Sequence, residues 1–97
     1  MVRSWISRQA EAEWPEFGSF QEAWEYLKGV FGEDLVLETV DVVGGEKCYF
    51  SALVTDWVAY DEMNRLFEKG EPVVGMRYMA CRQPIQIFED GQVHVVH

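Results

Sequence analysis

The chain has 97 residues, 48% of them hydrophobic and 14% aromatic, with a formal net charge of −9 from 8 basic and 17 acidic side chains. That length and composition predict one globular domain spanning residues 1–97, far from the disordered class. The scarcity of Lys and Arg disfavours direct nucleic-acid binding and docking on anionic membranes.

No apolar run approaches the ~20 residues needed to cross a bilayer. MVRSWISRQAEAE at the N-terminus lacks the hydrophobic stretch of a secretory signal. A cytoplasmic location is therefore expected, with Cys48 and Cys81 as free thiols and a single disulfide between them as the alternative.

In VRSWISR (2–8), Val2, Ser4 and Ile6 alternate with Arg3, Trp5 and Ser7, which predicts a strand; the AEAE that follows has helix propensity. Pro15 and Gly18 mark a connection. SFQEAWEYLKGVFG (19–32) reads as a helix. Ser19 and Glu22 form an S-x-x-E capping box, and Gly32 supplies the stop. Phe20, Ala23, Trp24, Leu27, Val30 and Phe31 fall on one arc.

LVLETVDVV (35–43) and KCYFSALVT (47–55), joined at Gly44-Gly45, predict a hairpin with Leu35, Leu37, Cys48, Phe50, Ala52 and Val54 on its core face. DWVAYDEMNRLFEKG (56–70) predicts a second helix with Ala59, Tyr60, Met63, Leu66 and Phe67 inward. VVGMRYMACR (73–82) reads as strand, with Pro84 at an edge or bend. IQIFEDGQVHVV (85–96) predicts a hairpin, and a three-residue Glu89-Asp90-Gly91 loop would put Ile85, Ile87, Val93 and Val95 on one face. The predicted class is α+β, in the βαββαβ order of a ferredoxin-like domain with an added C-terminal β-hairpin.

Few residues combine into chemistry. Cys48, Cys81, His94 and His97 lack the close pairs typical of zinc sites, so neither a metal nor a cofactor is expected. A Cys81/His94 nucleophile pair lacks an orienting third group. Asp56 and Asp61 read as helix-end residues. Tyr49 could stack a base, but the basic pattern of RNA-binding sheets is missing.

The charge distribution says more. Residues 11–46 hold ten carboxylates against Lys28 alone, while seven acids balance seven bases elsewhere. Glu11, Glu13, Glu16, Glu22 and Glu25, with Trp14 and Tyr26 among them, form the candidate surface for a basic protein partner. The expected function is that of a small non-enzymatic interaction protein, an inhibitor or regulator that masks a nucleic-acid-binding surface. The alternative is a ligand-binding domain or enzyme with a pocket near Trp57, Tyr60 and Cys81.

Overall fold

A computed structural model describes residues 3–97. It comprises α1 (Arg8–Ala12), α2 (Phe20–Phe31), a 3-10 turn (Gly32–Asp34), β1 (Leu35–Val43), β2 (Glu46–Val54), α3 (Trp57–Glu68), α4 (Met76–Ala80), β3 (Arg82–Phe88) and β4 (Val93–Val95). The strands form a single antiparallel sheet in the order β1-β2-β3-β4. The chain is thus a small compact α+β domain.

This is a meander rather than the ferredoxin-like order, because the expected N-terminal strand does not join the sheet. Residues 3–7 carry no strand assignment, and Val2 lies outside the described residues. Ile6 is nonetheless buried. The Gln83 side chain takes the place of a neighbouring strand: its Oε1 accepts the Ile6 N–H at 2.6 Å and its Nε2 donates to the Ile6 carbonyl at 3.1 Å.

Each sheet face carries a core, while most of β1 beyond Val36 stays exposed. On one, Ile6, Ala23, Leu27, Leu35, Leu53, Ile85, Ile87 and Val95 form a core under α2. On the other, Val54 packs with Ala59, Tyr60, Met63 and Cys81 under α3 and α4. Consecutive residues such as Leu53 and Val54 serve opposite cores because successive strand side chains alternate.

α2 starts as its capping box predicts at Ser19, whose Oγ accepts the Glu22 N–H at 3.2 Å. The Glu22 carboxylate reaches one residue further back, to the Gly18 N–H at 2.7 Å. Ala23 and Leu27 are fully buried. Trp24 is half-buried, stacked on Phe20 and lying under Lys28, and Val30 points out at 50% exposure.

The first hairpin has the expected tight turn, with Val43 opposite Glu46 and positive φ at Gly44 and Gly45. Its faces differ from expectation. A register shift between Leu37 and Thr39 makes Leu35 pair with Leu53 rather than Val54. This bulge puts Leu35 and Leu37 on the α2 side, opposite the face of Cys48, Phe50, Ala52 and Val54.

Two further expectations change. The run 73–82 holds a short helix where a strand was predicted; Met, Arg and Ala are good helix formers, and Gly75 turns the chain in at φ 116. Pro84 sits inside β3, opposite Ala52. Its carbonyl accepts the Val96 N–H on the β4 side, where the ladder ends at Val95. The donor that proline lacks faces that same side and is not needed. Beyond it, Ile87 pairs with Val93 across the Glu89–Gly91 turn.

Candidate functional site

An acidic concavity lies where the α1–α2 connection meets the β3–β4 turn. A cleft of about 420 Å³ opens there, lined by Glu11, Trp14, Glu16 and Phe17 on one side and by Asp90 and Val93 on the other. Ser7 caps α1 by accepting the Ala10 N–H, which carries the chain from Ile6 toward the rim. Trp14 is half-buried and packs edge-on against Phe31 at 6.2 Å. Phe17 contacts Tyr26 at 5.3 Å. The opposite wall is fixed by the turn: Phe20 N–H donates to the Glu89 carbonyl at 3.1 Å, and Tyr49 Oη donates to the Glu89 carboxylate at 2.7 Å.

Of the seven residues singled out in the sequence, Glu11, Trp14 and Glu16 meet at this cleft. Glu13 is exposed at the end of α1. Glu22 is engaged with the Gly18 backbone, and Glu25 accepts from Gln21 Nε2 at 2.9 Å. Tyr26 flanks Phe17 and is 39% exposed. Asp90 was not anticipated, although the Asp90-Gly91 turn signal was visible; which element that turn would touch was not.

Glu11 has a structural task as well. Its Oε2 accepts the Val95 N–H at 3.1 Å, and its Oε1 shares a 2.7 Å hydrogen bond with His97 Nε2. Burial alone would push its carboxyl up. The bonds from His97 and Val95, with the fields of His97 and His94, outweigh burial and hold it below the ordinary value of 4.5. Such a depressed carboxylate stabilises the fold above pH ~4.5, and that stability is lost as pH falls through the folded-state value. The Glu11→Gln variant should therefore melt below wild type at pH 6, with the gap narrowing as the pH is taken below 4.5 toward 3. Thermal midpoints across that range check this, and a pH-independent gap would contradict it. Arg8 and His94 also line this side, around a second open cleft of about 470 Å³.

The other constellations are dispersed or packed. His94 and His97 border the same cleft because the chain leaves β4 after Val95, but among the described residues no three metal-ligating side chains converge. Cys81 lies before β3 in the second core, whereas His94 is opposite Gln86. Burial pushes both thiols up, which favours the unreactive protonated form; Glu46 and Asp41 add to this at Cys48, and Arg82 opposes it at Cys81. Tyr49 stacks on Phe20 at 3.6 Å, so its ring face is occupied.

Around the alternative location, Trp57 Nε1 donates to Asp34 Oδ1 at 2.7 Å, Tyr60 Oη donates to Glu38 Oε2 at 3.0 Å, and Cys81 Sγ donates to the Tyr78 carbonyl. Burial first, and then the charge of Glu38, push the Tyr60 phenol up. Arg82 completes that group by pairing with both Glu38 oxygens. These side chains bond to one another and pack in the second core, and both clefts described above lie elsewhere. Compared with protein-family models, curated proteins and solved structures, the chain matches none.

Proposed function

We propose that this protein is a non-enzymatic interaction protein whose acidic cleft receives a basic segment of a partner protein. The observation that carries the reading is the juxtaposition of Glu16 and Asp90 with the Trp14 and Phe17 rings around one concavity. A lysine or arginine can lay its alkyl stem on the rings and its charge against the carboxylates. Exposed Glu13 extends the same field, and the −9 net charge steers a basic partner toward it. A face that presents carboxylates in place of phosphates is suited to occupy a nucleic-acid-binding surface, so the role is that of an inhibitor or regulator, in the cytoplasm.

The probe is a glycine–arginine repeat peptide, which has little strand propensity. Its association is followed by stopped-flow tryptophan fluorescence. The on-rate should fall steeply between 0.01 M and 0.1 M salt, as the Debye length shrinks from ~30 Å to ~10 Å. The combined Glu13→Gln, Glu16→Gln and Asp90→Asn variant should associate several-fold more slowly with an unchanged melting point. A salt-independent on-rate, or a variant as fast as wild type, would sink the proposal. Glu11 is left intact because it holds Val95.

A further inference from the structure

We propose that the outer edge of β1 takes up an extended basic segment of a partner protein as an added strand. The sheet has two edges, and they differ. β4 has three residues, and the Val95 N–H is taken by Glu11. β1 has nine, with β2 on one side only. Val43 and Glu46 flank a two-residue turn and so form a hydrogen-bonded pair. By alternation, the backbone polar groups of Val42 and Val40 point away from the sheet. The Val42 N–H is occupied only by the neighbouring Asp41 Oδ1 at 2.8 Å, an exposed local bond, and among the described residues those of Val40 have no partner. Long, open edges of this kind are templates for strand addition.

The side chains fit the same use. Leu37, Val40 and Val42 are exposed at 45%, 42% and 64%, and the bulge aligns them on one face. Charge selects the occupant. Residues 32–46 carry Glu33, Asp34, Glu38, Asp41 and Glu46 and no lysine or arginine. Asp34 and Glu38 are paired with Arg3 and Arg82, whereas Asp41, whose carboxylate accepts the outward Val42 N–H, sits at the edge that an incoming strand would meet. A second copy would bring the same acidic edge against itself, whereas a strand alternating apolar and basic residues meets both features. This surface is separate from the cleft, and the inference stands whether or not the cleft binds.

The test uses two nine-residue peptides, one alternating lysine and valine and the other glutamate and valine, with amide hydrogen exchange read by NMR at low salt. The lysine peptide should slow exchange at Val40 and Val42 at least tenfold, and the glutamate peptide should not. Val40→Pro removes one outward donor at an edge position that tolerates proline. It should weaken binding at least tenfold while the circular dichroism spectrum stays native. If that variant does not fold, Val42→Lys tests the same edge by charge repulsion, with the same expected loss. Equal protection by both peptides, protection confined to other residues such as those of the cleft, wild-type affinity in the folded variant, or concentration-dependent protection without peptide would each overturn the proposal.

Discussion

Replacing Gln83 with leucine should destabilise the protein by roughly 3–5 kcal/mol, although the two side chains are similar in size. Gln83 is fully buried in β3. It satisfies the N–H and carbonyl of Ile6 and donates to the Val96 carbonyl at 3.1 Å. Leucine would leave all three backbone groups without a partner, at about 1–3 kcal/mol for each that water cannot reach. Val96 is exposed enough for water to substitute, so the two Ile6 groups dominate. Against a typical stability of roughly 5–15 kcal/mol this is a severe loss. Gln86→Leu, on the other face of the same strand and half-buried, should stay within about 1 kcal/mol. Urea denaturation of both variants measures the contrast. Equal midpoints would mean that the Gln83 hydrogen bonds to Ile6 add little to stability beside the other contacts of the N-terminal segment, such as Arg3 N–H to the Thr55 carbonyl.

Gln83 also explains why the N-terminal segment alternates like a strand without joining the sheet. The alternation of VRSWISR is real, and Ile6 is buried as it implies. What period-2 alternation cannot reveal is whether the partner is a backbone or a side chain, and at Ile6 it is a side chain 77 positions away. The bulge after Leu37 was hidden for a related reason. No glycine marks it, and Glu38 is stabilised there by Arg82 and Tyr60, contacts that depend on the folded sheet. Local chemistry was readable where it was self-contained. Ser19 with Glu22, and the Gly44-Gly45 turn, act within a few residues of themselves.

The candidate site divides in the same way. Residues 11–17 announce themselves by composition, because carboxylates and aromatics are interleaved with no base. Their opposite wall does not, since Asp90 becomes part of the cleft only when the turn docks on the connection. Glu11 illustrates the limit from the other side: it reads as one more surface acid, yet it ties α1 to β4. Trp14 likewise divides its surface between the first core and the cleft.

That docking depends on one glycine, and Gly91→Ala should disrupt stability and cleft together. Gly91 is buried at φ 97, a conformation that side chains rarely adopt. A Cβ added there would lie 2.2 Å from the Phe17 carbonyl oxygen and 2.8 Å from the Ser19 nitrogen. Both are backbone atoms, so the clash cannot be relieved by turning a side chain. Backbone strain of this kind costs roughly 1–3 kcal/mol, and parting the turn from the connection adds the loss of the Phe20–Glu89 hydrogen bond. The expected total is about 3 kcal/mol or more, a fall in melting point of roughly 12 °C or more for a domain of this size. Gly44→Ala is the matched control: its φ is 60, and nothing lies within 4 Å of the added carbon. It carries conformational strain alone, about 1–2 kcal/mol. Calorimetry separates the two, and NMR shifts of the Trp14 and Phe17 rings report the cleft. In Gly91→Ala those shifts should move even where the protein stays folded, whereas in Gly44→Ala they should stay in place. A Gly91→Ala variant no less stable than Gly44→Ala, with its ring shifts unmoved, would mean that the turn and the connection are not in the close contact on which the cleft depends.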